Sequence, residues 1–336
     1  MAATTSGTVG TTVLDVTALI EHAFRRCGKM PSTVSGEQQL MAKSNLFLLL
    51  TTLVNMGLSL WCIQKYVVQL VPGQAVYGLP PGAADVLGAN FRTYVPGPLS
   101  GSVISGTAYS GMSFSSAVSP DSVTITFTAS GTPALVVESS PDGNTWTQVA
   151  AFAVQQSVLA SGTALVQDID NSVAQPYWRV RDTSGTMLAG AVTVWNDGAS
   201  EVPMTPFNKD DYRSLPNKTF QSNTSLQYWY DKQINPQMWL WPVPSVANQM
   251  SVQYHRQIQD VGTLTNLVEA PQRWYQYIAF GLAELICAEL PPGELPAGRL
   301  EYLQGKAEEH LQIASDGESD GAPIKLAPNL RGYTRG

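Results

Sequence analysis

The chain has 336 residues, a formal net charge of −7 at pH 7, and only 13% charged residues. This length is sufficient to bury a complete hydrophobic core and predicts two or three domains. The acidic balance argues against general nucleic-acid binding, which relies on a basic surface. Charged residues are about half as frequent as in an average soluble protein. Such scarcity suits a chain that buries much of its surface in an assembly, or a β-rich protein with Ser and Thr on its surface.

The N-terminal residues 1–12 are rich in Thr and Gly, are expected to be flexible, and show no secretory signal. Two helices are predicted next. Residues 13–27 carry apolar residues on one face and stop at Gly28, which suits a helix C-terminus. Residues 36–61 form a longer helix that is apolar on all sides in its middle. Because the apolar run 46–61 is shorter than a membrane span and contains polar residues, we interpret it as a buried bundle helix.

Strand composition follows up to about residue 94, and the composition then changes. Residues 97–203 contain no lysine, and acidic residues outnumber the two arginines. Several short alternating runs are separated by turn residues, a spacing that predicts a compact β-sandwich. Because the aromatic, turn-punctuated strand pattern that precedes this segment resumes after it, we interpret the sandwich as an insertion.

The stretch from 207 to 290 is aromatic-rich and then helical. The runs 226–231, 237–241 and 250–256 predict a three-stranded antiparallel meander. In the second run, Trp239 and Trp241 share one face, and Met238 and Leu240 share the other. Amphipathic helices are predicted over 269–290 and 294–315.

These elements predict an α+β fold built on a helical-bundle hub. The hub comprises 13–61 and 269–315, and a small antiparallel β domain comprises 62–96 and 204–268. Together they form a core over 13–96 and 204–315, with the all-β sandwich of 97–203 inserted. Residues 316–336 are expected to be an extended C-terminal tail.

No catalytic set emerges from the residues that could carry chemistry. His22, His255 and His310 are isolated, and the usual hydrolase, zinc-protease and phosphate-binding motifs are absent from the sequence. The pair Asp210-Asp211 is best explained as charge at a helix N-terminus. Asp168 and Asp170 could bind calcium, but no third ligand is evident. The sequence therefore predicts no enzyme, no cofactor and no metal.

The cysteines and aromatic residues favour structural interpretations. Cys27, Cys62 and Cys287 lie in or beside apolar segments without a CxxC pair, so they are predicted to be buried, reduced thiols. One aromatic group is either strand core or a platform that stacks sugars or bases; its members are Tyr228, Trp229, Tyr230, Trp239 and Trp241. Three tryptophans of the insertion are predicted sandwich core; they are Trp146, Trp178 and Trp195.

Four segments in order resemble the head-to-tail adaptor proteins of short-tailed and other tailed bacteriophages. They read AFRRCGKM, LTTLVNMGLSLWCIQKYVVQLVPGQAVYGLPPGAADVL, YRSLPNKTFQSNTSLQYWYDKQINPQMWLWPVPSVANQMSVQYHRQIQD and EAPQRWYQYIAFGLAELICAEL. The resemblance covers 13–95 and 204–315 and depends on the order of the patterns YxLP, DVL, PNK, YWYDKQ and WPxP. The insertion departs from the minimal family pattern. Its segments ESSPDGNTWTQVA and YWRVRD look like an immunoglobulin-like or galactose-binding-like sandwich.

The resemblance implies a structural virion protein rather than an enzyme. It implies a homo-oligomeric ring, expected to be a dodecamer, beneath the portal protein and above a downstream tail or nozzle protein. Genomic DNA would pass through the ring without sequence-specific binding, and no membrane is involved. The protein would reside in the phage neck or tail, and in the host cytoplasm during assembly. Six residues of the tail are the expected portal contacts; they are Lys325, Leu326, Leu330, Arg331, Tyr333 and Arg335.

Two alternatives to the connector remain open at this level. A carbohydrate-binding or adhesive tail protein is suggested by the insertion and its tryptophans. A peptidoglycan-degrading tail protein would need an acid of raised pKa in a cleft, and no residue can be nominated for that role.

Overall fold

The computed structural model describes residues 13–94, 97–152, 160–169, 173–185, 190–196 and 198–318. The chain divides into two compact units, with boundaries at Cys62/Ile63 and at Arg256/Gln257. The terminal parts of the chain form the first unit and the central part forms the second. The described residues contain five α-helices and eighteen β-strands.

Four helices belong to the first unit and one short helix to the second. In chain order the helices are α1 (Val16–Cys27), α2 (Gly36–Asn55), α3 (Lys209–Ser214), α4 (Tyr275–Glu289) and α5 (Arg299–Asp316). The Asp15 side chain caps α1 by accepting a hydrogen bond from the Ala18 amide, and α1 ends at Gly28 with φ 92° as predicted. Ser35 and Gln38 form a capping box at the start of α2. The second helix is shorter than the predicted 36–61, since the chain leaves it before Gly57 at φ 71°.

The helix α4 lies at the centre of the first unit. It contacts α1, α2 and α5, and Ile278, Leu282 and Ile286 are all 0% exposed. An added Cβ at Gly281 would lie 3.2 Å from Leu49 Cδ1 of α2. The missing side chain at this position therefore lets the two helices approach closely.

The predicted α+β fold with a helical-bundle hub is wrong. The described chain is mostly β, and one of its five helices has only six residues. In the first unit, helices α1, α2 and α5 surround a single buried helix. The physical reason for the β character is that strand-forming runs between 63 and 256 bury two hydrophobic cores of their own.

The first of these cores lies between two four-stranded sheets. One sheet has the order β1 (Ile63–Gln69), β18 (Gln249–Arg256), β3 (Ala83–Thr93), β12 (Ser200–Pro203). The other has the order β13 (Thr205–Pro206), β15 (Gln227–Asp231), β16 (Gln237–Trp241), β2 (Val76–Gly78). The short strands β14 (Gln221–Ser222) and β17 (Val243–Pro244) pair with each other.

The predicted meander is therefore only partly correct. Strands β15 and β16 pair antiparallel, but β18 pairs with β1 and β3 in the other sheet. The chain after Trp241 enters β17, which pairs with β14 instead of turning back onto β16. The alternation of faces is confirmed, because Met238 and Leu240 are buried while Trp239 and Trp241 are partly exposed on the other face.

The second core lies within the segment 97–203, between two further sheets. The larger has the order β4 (Ser102–Gly106), β5 (Tyr109–Val118), β10 (Gln175–Asp182), β7 (Leu135–Ser140), β8 (Thr147–Ala151). The smaller has the order β11 (Gly190–Asn196), β6 (Pro120–Phe127), β9 (Ala164–Asp168). Trp178 and Val180 from one sheet and Ile125 and Val194 from the other are 0% exposed and share this core. We refer to these eight strands as the sandwich.

The three tryptophans of the sandwich take different positions. Trp178 lies in the core, as predicted. Trp195 is buried, but it points away from the neighbouring core residue Val194 and contacts Tyr94 outside the sandwich. Trp146 is only partly buried and packs on the Arg179 guanidinium, 3.8 Å from its ring centre. The core assignment is therefore wrong for Trp146, because its position in the turn before β8 faces the outer surface of the sheet.

Replacing Trp178→Ala should lower the free energy of unfolding by about 3–5 kcal/mol, because it leaves a cavity in a closed core. The comparison is Val103→Ala in β4, where the side chain is 75% exposed and little should change. Urea denaturation followed by circular dichroism measures both. Equal effects of the two substitutions would contradict the description of Trp178 as the centre of the sandwich core.

Candidate functional site

A network of charges with a buried arginine at its centre lies where the sandwich meets the sheet β1-β18-β3-β12. We call Lys65, Arg92, Asp168 and Glu201 the junction network. Strand β3 is paired on both sides, and its alternation buries Phe91 in the hydrophobic core while Arg92 emerges on the opposite face. Arg92 is nevertheless only 3% exposed, because the sandwich covers it.

The guanidinium of Arg92 binds two carboxylates at once. Its Nη1 and Nη2 donate to Asp168 Oδ1 and Oδ2 at 2.7 and 2.9 Å, and its Nε donates to Glu201 Oε1 at 2.6 Å. Lys65 forms a further ion pair with Asp168, and Asn90 Nδ2 donates to Glu201 Oε2 at 2.8 Å. The bidentate geometry fixes both distance and orientation between β3 and the sandwich strand β9.

The pKa values follow from this pairing. Burial alone would raise the pKa of Asp168, but the hydrogen bonds and charge of Arg92, together with Lys65, hold it below its usual range. Burial opposes the low pKa of Glu201 in the same way, and Asn90 and Arg92 outweigh it. Burial would lower the pKa of Arg92, yet its acidic partners raise it. All three groups are therefore held in their charged forms.

A second polar contact accompanies the network and centres on Tyr94. Its hydroxyl donates to Asp121 Oδ2 at 2.9 Å and lies 3.1 Å from Gln249 Oε1 and 3.2 Å from Ser122 Oγ. Gln249 and Ser122 are both 0% exposed, and burial is the main cause of the raised pKa of Tyr94. The Tyr94 ring packs 5.0 Å from that of Trp195. This contact joins β18 to the sandwich strand β6.

The backbone also holds the sandwich at both ends. The chain enters it directly after β3 and returns through β12, which pairs antiparallel with β3 from Ser200↔Thr93 to Pro203↔Asn90. Entry and exit are thus adjacent strands of one sheet. With the two polar contacts, this arrangement fixes the orientation of the sandwich on that sheet.

Two open cavities flank the junction. One of about 370 Å³ is lined by Thr93, Tyr94, Trp195, Asn223 and Asn248 among others. Another of about 290 Å³ includes Lys65, Gly88, Glu201, Ser251 and Gln253. Both mix polar and apolar walls, and in the second Lys65 and Glu201 already belong to the junction network. The ion pairs of Lys65 and Glu201 hold the sandwich against the sheet.

The predicted carboxylate sites have ordinary structural roles. Both oxygens of Asp168 are engaged by Arg92, and Asp170 lies outside the described residues. Asp210 and Asp211 occupy the first turn of α3, and the Asn208 side chain caps that turn by accepting from the Asp211 amide, which confirms the helix-terminus interpretation. Over the ranges that the structure describes, no group of three or more His, Cys, Asp or Glu is arranged to hold a metal ion.

The histidines occupy separate elements. His22 is exposed on α1, His255 is buried in β18, and His310 of α5 stacks on Phe280 with ring centres 4.9 Å apart.

The three cysteines are buried and unbridged, as predicted. Burial, reinforced by the neighbouring Cys287, raises the pKa of the Cys27 thiol to about 12. Such a thiol is protonated at neutral pH and is a poor nucleophile.

The aromatic group divides between the two faces of the pair β15–β16. Tyr228 is buried in the core, and Trp229 and Trp239 lie on the other face. Their rings stack on each other at 5.7 Å, and Tyr212 of α3 packs on both at 5.7 and 5.4 Å. The aromatic faces are thus largely covered by one another, which favours the strand-packing interpretation over a sugar or base platform.

The six expected portal contacts cannot be placed. Lys325, Leu326, Leu330, Arg331, Tyr333 and Arg335 all lie outside the described residues. The apolar run at 46–61 corresponds to the end of α2 and the turn after it, and no helix in the described part of the chain is long and apolar enough to cross a membrane.

The residues of the junction were not predicted from the sequence, apart from Asp168 as a calcium candidate. The sequence does contain a signal for this contact. Arg92 and Tyr94 directly precede the lysine-free segment 97–203, and Glu201 lies at its end, just before the aromatic strand pattern resumes. In a chain with few charges, charged residues at both ends of an insertion indicate a contact between insertion and host.

Comparisons with known proteins leave the family open. No protein-family model matches the sequence, and no curated protein matches it significantly. Among solved structures, the chain has a likeness to the structure of rhamnosidase from Novosphingobium sp. PP1Y, with 13% identity and a TM-score of 0.23. The match covers 76% of this chain but 28% of that one.

Replacing Arg92→Ala should lower the free energy of unfolding by about 3–5 kcal/mol, because Asp168, whose side chain is 13% exposed, would be left as a largely buried charge without this partner. Arg92→Lys keeps the charge but loses the bidentate fork, and an intermediate loss is expected. The control is Lys232→Ala, which removes an exposed ion pair to Asp85 at 2.9 Å. Urea denaturation should leave that control close to the wild type. A loss for Arg92→Ala no larger than for the control would show that the junction contributes no stability.

The junction should also be acid-sensitive. The folded-state pKa of Asp168 lies below its unfolded value of about 3.9, so its contribution is complete above that pH and is lost as the pH falls through the folded pKa. The difference in unfolding free energy between the wild type and Asp168→Asn should be constant above about pH 5 and shrink below about pH 4. Denaturation curves at a series of pH values measure it. A difference that persists unchanged down to strongly acidic pH would contradict the assigned ion pair.

Proposed function

We propose that this chain is a structural virion protein, a head-to-tail adaptor that forms a ring beneath the portal and gives DNA a passage from capsid to tail. The observation that supports this proposal is the rigid attachment of the sandwich by the junction network and the Tyr94 contact. The resemblance of residues 13–95 and 204–315 to phage adaptors supports it independently. Neither source calls for a chemical step, and the proposal includes none.

A connector needs fixed geometry, and the junction provides it. A ring that joins two assemblies must hold each domain at one orientation, because every subunit has to present the same surface to its neighbours. A buried bidentate pair specifies orientation better than apolar contact does. An adhesive module on a flexible linker would need none of these contacts, so the junction favours a structural role over the adhesive alternative.

The partners follow from the same proposal. Copies of this chain would form the ring, the tail residues 325–335 would contact the portal, and a downstream tail or nozzle protein would bind below. The net charge of −7 suits a passage along which DNA slides, since like charges disfavour phosphate contacts.

Light scattering of the purified full chain, alone and mixed with the portal protein of the same virus, tests the proposal. A complex with the mass of a ring, formed alone or only with the portal, is expected, and its mass gives the copy number. A monomer that ignores the portal would overturn the adaptor role. Binding of that monomer to a glycan array would favour the adhesive alternative.

The tail makes a sharper prediction. Substituting Lys325, Arg331 and Arg335 together by Ser should weaken portal binding at least tenfold at low salt, because three cations are lost from a segment without acids after Asp320. The control is Lys306→Ser in α5, whose ammonium pairs with Glu309. Portal affinity that is equal in the two variants would exclude these cations as portal contacts.

A further inference from the structure

The outward face of α2 carries an exposed apolar stripe. Every fourth residue from Leu40 to Met56 is exposed, and none is charged. We define these residues as the α2 stripe; they are Leu40, Ser44, Leu48, Thr52 and Met56. Leu40, Leu48 and Met56 are 64%, 57% and 51% exposed. The opposite face of α2 makes the helix's core contacts in the first unit. The residues of the α2 stripe therefore take no part in that core.

The stripe is less polar than its composition indicates. Ser44 Oγ donates to the Leu40 carbonyl at 3.1 Å, and Thr52 Oγ1 donates to the Leu48 carbonyl at 2.9 Å. Their hydroxyl hydrogens are therefore satisfied within the helix, and Thr52 presents its methyl group. No charged residue occurs from 44 to 64. Covering such a surface with another apolar segment lowers the free energy of the protein.

The dimensions of the stripe fit a single chain segment. A helix of this length is about 30 Å long, and a face one side chain wide offers on the order of 300 Å². A stable contact between two folded subunits buries about 800 Å² on each partner. The stripe alone is too small for that, but an extended segment of about nine residues, at roughly 3.3 Å each, matches its length.

The last described residue, Glu318, is anchored at the start of α4. Glu318 is buried, forms an ion pair with Arg273, and accepts a hydrogen bond from Trp274 Nε1 at 2.7 Å. The Trp274 ring lies 5.4 Å from the ring of Trp61, which follows the C-terminal end of α2. Glu318 is thus linked through Trp274 to Trp61, five residues after Met56.

The composition of 319–336 complements this surface. These eighteen residues would span about 60 Å if extended, twice the length of the helix. They supply apolar side chains at Leu326, Leu330 and Tyr333 and three cations. The last turn of α2 has no basic residue of its own, so a cation placed there would meet the negative end of the helix dipole.

We propose that residues 319–336 pack along the α2 stripe of their own chain. The anchor at Glu318 makes the encounter intramolecular, so weak apolar contacts are sufficient for occupancy. The apolar residues of the segment cover the stripe, and its cations remain at the surface. This inference does not depend on the adaptor role and applies to the free subunit.

Photo-crosslinking of the full chain tests the placement. Phe47→benzoyl-phenylalanine puts the probe on the exposed side of α2, where the native ring is 45% exposed. The same probe at Val103, which is exposed in the sandwich, is the control. Unlabelled and ¹⁵N-labelled chains are mixed before irradiation, and cross-linked peptides are identified by mass spectrometry. Cross-links from position 47 to 319–336 within one isotopic chain are expected, and none from position 103.

Other outcomes would overturn the proposal. Cross-links between differently labelled chains would assign the stripe to a second copy, and cross-links that never reach 319–336 would exclude the segment. Binding of a hydrophobic dye provides an independent readout. Deleting 319–336, which retains Glu318, should raise dye fluorescence several-fold, and adding Leu48→Lys should remove most of that increase. Unchanged fluorescence on deletion would show that the segment does not cover the stripe.

Discussion

The Arg92 guanidinium is buried between two sheets, and the arrangement of the second unit depends on how its charge is neutralised. A buried cation without partners would destabilise the fold strongly. Asp168 from the sandwich and Glu201 from the returning strand supply the counter-charges at 2.7 and 2.6 Å. Because one arginine joins the strand before the sandwich, a strand inside it and the strand after it, all three are held together by a single group.

The two units are built in different ways. In the first, α4 is largely apolar and packs against α1, α2 and α5. In the second, strands enclose two cores, and polar contacts join the layers. Apolar contact between helices tolerates small shifts, whereas a bidentate ion pair does not. The fixed geometry of the second unit therefore comes from the polar junction.

Much of the local structure was predictable from the sequence. Alternation assigned Met238 and Leu240 to the core and Trp239 and Trp241 to the other face. Gly28 marked the end of α1, and Asp210-Asp211 marked the start of α3. The helical-bundle hub was wrong because the strands between 63 and 256 bury two hydrophobic cores of their own. Short strands with weak individual signals outnumber the helices, eighteen to five, in the described part of the chain.

By itself, the sequence determined which residues are apolar, where α1 ends and α3 begins, and which face of β16 is buried, because these depend on neighbours within a few positions. Tertiary structure alone decided that β18 leaves the meander to pair with β1 and β3, and that Arg92 meets Asp168, 76 residues away. Long-range pairing depends on the shape and charge of two surfaces at once. No periodicity in a single segment encodes it.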